Sequence, residues 1–317
     1  MRVVVIGGTG HIGTFLVPRL LALGCDVVSV SRQQREPYQN FPSWKAAQQV
    51  TIDRSAAEAA GEFGSAILAL KPDVVIDLIC FTPESNRQLT EALRAQIQHF
   101  LHCGTIWVHG HSTEVPTQES AARRPFGGYG TAKAAIEQEL LQAARQQGFP
   151  ATVLHPGHIV GPGWVPLNPA GHFNPEVFTA LARGEELSLP NLGLETVHHV
   201  HADDVAQGFE RALTHWNSAV GEAFHLVSPA ALTLRGYAEA VSRWFGHEAN
   251  LSFMPFGEWR SGVAEKDAQA TWEHISRSPN CSIAKARQAL GYVPRYSSLE
   301  GVQTSLTALI AQGVVTP

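Results

Sequence analysis

A run of four apolar residues followed at once by glycines constrains the fold more than any other part of the sequence. It reads Val3-Val4-Val5-Ile6-Gly7-Gly8-Thr9-Gly10-His11-Ile12-Gly13. Apolar residues then recur at helical spacing, at positions 12, 15, 16 and 20. A strand, a glycine-rich turn and a helix N-terminus in this order form a phosphate-binding motif. Gly7 allows the turn, Gly10 allows close approach to a pyrophosphate, and Gly13 allows the helix to pack on the sheet.

This loop predicts a dinucleotide cofactor. The loop residues predicted to bind it are Gly7, Thr9, Gly10, His11, Ile12 and Gly13. The end of the second strand then distinguishes NAD from NADP, because NAD sites place a carboxylate there to bind the ribose 2′-hydroxyl. Here the strand ends in Ser31 and Arg32, which suit a 2′-phosphate. The sequence therefore favours NADP. NAD stays an alternative, because an Arg32 side chain that lies in solvent or stacks on adenine would not bind a 2′-phosphate.

Short apolar runs alternate with helical patterns through the first half of the chain. Helices are predicted over 11–23, 62–70, 84–98 and 128–148, and further strands at Val27–Val30, Val74–Leu78, Phe100–Leu101 and Ala151–Leu154. Apolar strands joined by helices are typical of a parallel sheet covered on both faces. Right-handed crossovers make such a sheet doubly wound. The predicted fold class is α/β, a doubly wound parallel (Rossmann) sheet with a smaller, interleaved C-terminal α/β substrate lobe.

The sequence changes character after Pro156. Gly161-Pro162-Gly163 and the prolines between 166 and 175 indicate that the chain leaves the sheet. A helix over 203–215 and a strand at Ala223–Val227 then resume the earlier pattern, and a helix over 298–312 ends the chain. We expect a dinucleotide-binding domain over 1–163, to which 199–227 returns, and a substrate-binding lobe made from 164–198 and 228–317.

Composition excludes several classes of protein. Hydrophobic residues make up 44% of the chain and charged residues 16%, which excludes intrinsic disorder of the whole. The net charge of −5 without a basic run argues against nucleic acid as a partner. No apolar stretch approaches the ~20 residues of a membrane helix. The first strand is predicted to begin at residue 3, which leaves no room for a signal peptide. The four cysteines have no CxxC spacing and fit a reducing compartment. We therefore expect a cytoplasmic protein.

The segment Tyr129-Gly130-Thr131-Ala132-Lys133 is the candidate catalytic motif. Tyr129 and Lys133 are four residues apart and share one face of the predicted helix. A phenol is a poor base at neutral pH, and a nearby ammonium is expected to lower its pKa. Such a pair can move a proton to or from a hydroxyl while a nicotinamide exchanges hydride.

Several segments together resemble the extended short-chain dehydrogenase/reductases of the NAD-dependent epimerase/dehydratase type. The segments are the glycine loop, the Tyr129 motif, Pro156-Gly157 with Gly161-Pro162-Gly163, His201-Ala202-Asp203-Asp204-Val205 and Leu290-Gly291-Tyr292-Val293-Pro294. The resemblance implies a catalytic hydroxyl at Thr105 and an adenine contact at Asp53. The further cofactor-binding residues it implies are Arg54, Leu78, Ile79, Cys80, Tyr129, Lys133 and Pro156. It also implies a homodimer that packs through helices 84–98 and 128–148.

The resemblance implies an NAD(P)-dependent oxidoreductase, epimerase or dehydratase. Such an enzyme transfers hydride and a proton at a carbinol of a small, hydroxylated and possibly sugar-like substrate. Nucleotide-sugar enzymes of this kind carry an arginine just before the His201 segment, where this chain has Thr196-Val197-His198-His199. Trp107, His155 and His158 also depart from the usual residues, and we take them as candidate substrate contacts. The alternatives left open are an NADPH-dependent carbonyl reductase on a non-sugar substrate and a catalytically silent cofactor-sensing or RNA-associated relative.

The abundance of histidine, 15 residues, raises the question of a metal. His199 and His201 share a face of an extended segment, whereas His198 faces the opposite side. Without a third ligand at a suitable spacing, no metal site is predicted.

Overall fold

The computed structural model describes residues 1–32 and 36–317. Its strands are β1 Arg2–Ile6, β2 Asp26–Ser31, β3 Gln48–Thr51, β4 Val74–Asp77, β5 His99–Cys103, β6 Ala151–Pro156, β7 His158–Val160, β8 Leu187–Pro190, β9 Thr196–Val197, β10 His199–His201, β11 Ala223–Leu226, β12 Leu232–Thr233 and β13 Leu251–Met254.

Its helices are α1 His11–Ala22, α2 Arg54–Ala59, α3 Phe63–Leu68, α4 Pro83–Leu93, α5 Gly128–Gln147, α6 Glu176–Ala182, α7 Ala202–Thr214, α8 Trp216–Ala219, α9 Leu234–Trp244, α10 Phe256–Trp259, α11 Glu265–Ile275, α12 Ala284–Leu290 and α13 Ser298–Ala311. Short 3-10 helices span Pro42–Ala46, Ile106–His109 and Arg260–Gly262.

In the described ranges, seven parallel strands form the central sheet in the order β11-β6-β5-β4-β1-β2-β3. The order reverses at β1, which pairs with both β2 and β4. A crevice opens at such a reversal, at the carboxyl ends of the strands, and the glycine loop follows β1 at this point. The predicted fold class, a doubly wound parallel Rossmann sheet, is confirmed.

Two apolar layers cover the sheet because side chains alternate along each buried strand. Val3 and Val5 pack under α1 and α7, and Val4 and Ile6 pack under α3, α4 and α5. This two-sided burial explains why β1 is an unbroken apolar run.

Several elements differ from the sequence expectation, among them helix α2, which we did not predict. The sheet has an edge strand, β3, that we did not predict, because its sequence Gln48–Thr51 is polar and mostly exposed. Helix α4 ends at Leu93 rather than at 98, since Arg94 leaves the helical conformation and Ala95 has a φ of 56°.

Most of the remaining elements form a second packed unit with its own core. Strands β8 and β13 pair in parallel, and α6 packs on α9. Phe178, Leu189, Tyr237 and Trp259 belong to its core, which is separate from the two cores of the sheet. Between these segments the chain returns to the sheet through α7 and β11. In the part of the chain that the structure describes, no helix is both long and apolar enough to cross a bilayer.

Candidate active site and cofactor cleft

The glycine loop has a geometry that side chains would prevent. Gly7 has a φ of +87°, and its N–H donates to the carbonyl of Val30 at 2.8 Å. A Cβ on Gly13 would lie 2.0 Å from the carbonyl oxygen of Gly8, far inside van der Waals contact. Gly10 precedes α1, where no side chain caps the helix and the first turn has no acidic residue. The positive end of the helix is therefore directed to the crevice without a competing carboxylate.

A cleft of about 690 Å³ begins at this loop. Its walls contain Gly7, Thr9, Gly10, Ser31, Arg32, Asp53, Arg54, Ile79 and Phe81. Eight of these nine were predicted cofactor residues, and only Phe81 was not. The size, the glycine loop and the helix N-terminus fit the adenosine and pyrophosphate part of a dinucleotide.

The other predicted cofactor residues lie around the cleft rather than in its wall. His11 stacks on Trp164 with ring centroids 3.7 Å apart. The side chains of Ile12, Leu78 and Cys80 are buried in the cores of the sheet. Pro156 ends β6, where it pairs with Leu226 of β11.

Arg54 is engaged inside the protein. Its guanidinium contacts both carboxylate oxygens of Asp77, at 2.8 and 3.0 Å, and Glu58 at 2.6 Å. Burial lowers the pKa of Arg54, but the charge of Asp77 outweighs this effect and raises it above its usual range. Asp77 has no exposed surface. Asp77 and Glu58 were not predicted from the sequence. They hold Nε and Nη1 of Arg54, which also lines the cleft, so its contact with the cofactor stays a prediction.

Asp53, the residue implied to contact adenine, also has a local role. Its carboxylate accepts from the N–H of Ala56 at 3.1 Å and caps helix α2. It lines the cleft at the same time. A cap of this kind fixes the direction of the carboxylate at the cleft wall.

Thr105, Tyr129 and Lys133 meet where β5 ends. The hydroxyl of Tyr129 is hydrogen-bonded to Thr105, whose Oγ1 accepts from the N–H of Trp107 at 3.3 Å. The ammonium of Lys133 is buried and donates to the carbonyl of Cys103 at 2.6 Å. It lies 5.9 Å from the centre of the Tyr129 ring. Two elements therefore bring a phenol, an alcohol and an ammonium together.

The pKa of the phenol differs from the sequence expectation. Burial of the hydroxyl, with a smaller effect of Cys103, raises the pKa of Tyr129 to about 12, and the hydrogen bond with Thr105 opposes this rise. The expected lowering by Lys133 does not prevail in this arrangement, because the ammonium is directed to the Cys103 carbonyl. Burial also lowers the pKa of Lys133.

His155 lies beneath Thr105 and not in the cleft. Its Nδ1 accepts from the N–H of Thr105 at 2.9 Å, and its Nε2 lies 3.0 Å from Glu137. The side chain has no exposed surface, so the expectation that it touches a substrate is wrong for this structure. Because Nδ1 accepts, Nε2 carries the proton and donates to the carboxylate.

Glu137 and Arg123 complete this buried chain. Arg123 donates to Glu137 at 2.9 Å. Burial alone would raise the pKa of Glu137, but His155 and Arg123 together hold it below its usual range. The sequence analysis missed both residues. The available signal was the spacing, since Tyr129, Lys133 and Glu137 follow one another at four-residue intervals on α5.

Aromatic rings surround the exposed side of Tyr129. The ring of Trp107 lies 5.7 Å from Tyr129 and 5.1 Å from His274. His158 lies 5.0 Å from His274, and Nδ1 of His158 is 3.2 Å from the carbonyl of His198. Trp107 and His158 were predicted as substrate contacts, and both lie in this region. In the described part of the chain, no group of histidine, cysteine and carboxylate side chains has the arrangement of a metal site.

Comparison with known proteins assigns the family. The model of the NAD-dependent epimerase/dehydratase family matches residues 3–226. The chain belongs to this family. The expectations of an extended short-chain dehydrogenase/reductase and of an NAD(P)-dependent enzyme are confirmed.

Individual relatives differ in what their names say they do. A 4-hydroxy-2-methyl-3-oxo-4-farnesyl-3,4-dihydroquinoline-1-oxide ketoreductase from Stigmatella aurantiaca is 26% identical over 327 residues, which cover 95% of each chain. The chloroplast stem-loop binding protein of 41 kDa b from Arabidopsis thaliana is 24% identical over 98% of this chain and 80% of its own. The structure of UDP-glucuronic acid 4-epimerase from Bacillus cereus with UDP-glucuronic acid and NAD has a TM-score of 0.74 at 19% identity, over 98% of this chain and 100% of that chain.

Proposed function

We propose that this chain transfers hydride between NADP(H) and the carbon of a carbonyl or carbinol group, with Tyr129 as the proton donor or acceptor. The observation that supports the proposal most is the meeting of Tyr129, Thr105 and Lys133 beside a dinucleotide-shaped cleft. When bound, the cofactor supplies or accepts the hydride. The chain's own residues bind and orient the reacting oxygen and move its proton.

Carbonyl reduction is the direction that this site favours. A phenol with a pKa of about 12 keeps its proton at neutral pH, so Tyr129 is ready to donate to a carbonyl oxygen. The hydroxyl of Thr105 holds the phenol of Tyr129 and also orients the carbonyl oxygen of the substrate. Lys133 places a buried positive charge near the phenolate that forms after proton transfer. The ketoreductase named among the relatives is consistent with this direction.

NADP is the proposed cofactor rather than NAD. Ser31 and Arg32 lie at the end of β2 and line the cleft, and neither is a carboxylate. Asp53 also lines the cleft, but its carboxylate caps α2. A guanidinium at the end of β2 can bind a 2′-phosphate through charge-assisted hydrogen bonds.

Two other functions remain as alternatives. An epimerase would keep its cofactor and return the hydride to the same molecule, so it would be purified with nucleotide bound. A silent RNA-associated relative is suggested by the chloroplast stem-loop binding protein, but the complete set of Thr105, Tyr129 and Lys133 favours catalysis.

We also propose a division into domains, a homodimer and a cytoplasmic location. The substrate lobe is assigned to 164–198 and 228–317, and residues 1–163 with 199–227 to the cofactor domain. A homodimer through α4 and α5 would be detected as twice the chain mass by light scattering. Four buried free thiols are consistent with a cytoplasmic protein.

The decisive experiment is Tyr129→Phe with two separate readouts. We expect turnover of a ketone panel with NADPH to fall by about 10²- to 10⁴-fold, because the proton donor is removed. NADPH affinity, measured by calorimetry, should stay unchanged. Tyr296→Phe is the matched control, because that hydroxyl lies near Arg295 and far from α5 in sequence. Unchanged turnover in Tyr129→Phe would refute the proposed proton transfer.

A further inference from the structure

We propose that the substrate is an uncharged, flat ring compound with a ketone on the ring, and not a nucleotide diphosphate sugar. The inference rests on the proposed function and adds the chemical class of the substrate. It follows from the aromatic wall, which we define as Phe81, Trp107, Tyr129, Phe173 and His274.

The aromatic wall is a continuous series of ring contacts, and three of its five rings are open to solvent. Phe81 and Phe173 flank it at opposite ends, with ring centroids 6.4 Å from Tyr129 and 5.5 Å from His274. Phe81, Tyr129 and Phe173 are 53%, 42% and 50% exposed. Exposed apolar rings side by side are costly in water, and such patches mark surfaces that bind a ligand. A flat ring can stack on or meet the edges of these rings beside the reacting phenol.

Two cations next to this wall are already occupied: Lys133 donates to the carbonyl of Cys103, and Arg277 is held by its neighbours. The guanidinium of Arg277 lies between the rings of Trp107 and Phe126, 3.8 and 3.9 Å from their centres, which covers both of its faces. Its terminal nitrogens donate to Glu273 and, at 2.6 Å, to the carbonyl of Phe126. The side chain is 1% exposed. A diphosphate needs accessible donors of charge-assisted hydrogen bonds, and Arg277 does not offer them.

The histidines in this region are neutral. Burial lowers the pKa of His274 to about 4, and burial lowers the pKa of His158 well below its usual range. The Nε2 atom of His158 is buried and has no hydrogen-bond partner among the described residues. When Nδ1–H donates to the His198 carbonyl, Nε2 is a neutral acceptor. The region therefore suits a ring with one N–H or O–H donor.

The reaction balances with the cofactor already proposed. The hydride of NADPH forms the new C–H bond at the ketone carbon, and the electron pair of the C=O π bond goes to oxygen. Tyr129 gives its proton to that oxygen and takes one back from solvent. The ketone is reduced to a secondary alcohol, and NADPH is oxidised to NADP⁺.

Isatin tests this inference, because it is a flat fused-ring ketone with one N–H donor. With NADPH and the full chain, we expect its kcat/KM to exceed that of an open-chain ketone, 4-octanone, by at least about tenfold, a difference of about 1.4 kcal/mol. UDP-glucose and dTDP-glucose should neither be turned over nor compete with isatin. Higher kcat/KM for 4-octanone, or competition by either nucleotide sugar, would overturn the inference while hydride transfer stood.

Variants locate the effect on the wall. Trp107→Leu should reduce kcat/KM for isatin about tenfold, and by a larger factor than kcat/KM for 4-octanone. Since Trp107 also covers Arg277, Phe173→Leu provides a second, more exposed test with the same expected direction. Trp216→Leu is the matched control, because this exposed indole donates to the carbonyl of Gln98 at the far end of β5. Equal losses for both ketones, or none in either wall variant, would contradict ring recognition.

A binding measurement separates the two proposals. Saturation-transfer NMR should detect isatin on the NADP⁺ complex, which cannot reduce it, and Phe173→Leu should weaken this signal. Binding of isatin without turnover of any ketone would support the substrate class and refute the proposed reaction. Turnover of open-chain ketones without isatin binding would refute the substrate class alone.

Discussion

The adenosine side of the cleft and the reaction side are built from different parts of the chain. The adenosine side depends on main-chain geometry, since Gly7 and Gly13 allow the loop and α1 to approach the sheet. The reaction side depends on contacts between side chains distant in sequence, such as Glu137 with His155 and Trp107 with His274. The adenosine side therefore tolerates few residue types at its glycine positions. The reaction side can change its substrate specificity by side-chain substitution while the fold persists.

The largest expected effect concerns Arg54 on the adenosine side. Arg54→Met leaves Asp77 buried without its cation, and loss of one partner of a buried ion pair costs about 3–5 kcal/mol of unfolding free energy. Urea unfolding measures this loss. A small loss would show that the ion pair does not stabilise this side, whereas a loss of the expected size limits the contrast, because a side-chain contact then supports the adenosine side as well.

The double variant Arg54→Met with Asp77→Asn is the control for that prediction. It removes both charges, so we expect it to regain part of the lost stability. A double variant less stable than Arg54→Met would show that the carboxylate itself, rather than the pairing of charges, supports the fold through its contact with the N–H of Ile79 at 3.1 Å.

The next effect tests the dependence on main-chain geometry. Gly13→Ala would place a methyl group 2.0 Å from a backbone oxygen, which must move. We expect NADPH affinity to fall about 10²-fold, because displacement of the loop by an ångström misplaces the donors for the pyrophosphate. Gly257→Ala is the matched control, since nothing lies within 4 Å of its added Cβ. Equal affinities for the two variants would count against the loop as the phosphate site.

This contrast also explains what the sequence could predict. The strand and the glycines are local patterns that predicted the parallel sheet correctly, and the Tyr129–Lys133 spacing predicted that these two side chains share a helix face, whereas Thr105 came only from the resemblance. Strand β3 was not predicted, because an exposed, polar edge strand lacks the periodic pattern of hydrophobic residues from which strands are recognised. The burial of His155 could not be read from its neighbours in sequence, since it depends on packing between β6, α5 and the turn after β5.

On the reaction side, Glu137→Gln tests whether the buried chain beneath Thr105 positions the catalytic hydroxyl. We expect kcat to fall about tenfold with NADPH affinity unchanged, because Gln still accepts from His155 but no longer pairs with Arg123 as a charge. Glu139→Gln, on the more exposed part of the same helix, is the control. Loss of NADPH affinity instead of kcat would assign Glu137 to the fold rather than to positioning.

The pH dependence of stability gives a second readout for Glu137. Its pKa is lowered below the ordinary value of about 4.5, so its carboxylate stabilises the folded state above that pH. The stabilisation is lost as the pH falls toward the lowered pKa. The difference in unfolding free energy between the wild type and Glu137→Gln should thus be greatest at neutral pH and shrink below about pH 4.5. A constant difference across this range would mean that charge is not the cause.

The last effect concerns Arg32, the charged side chain that we assign to cofactor choice. Arg32→Ala should lower the ratio of NADP⁺ to NAD⁺ affinity by about tenfold or more, because a charge-assisted hydrogen bond contributes about 1.5–3 kcal/mol. NAD⁺ affinity itself should change little, since Arg32 is an exposed residue of the cleft wall. Arg211→Ala on α7 controls for the loss of a surface charge. An unchanged ratio would make NAD the better assignment, and the adenosine side would then owe its selectivity to the main chain alone.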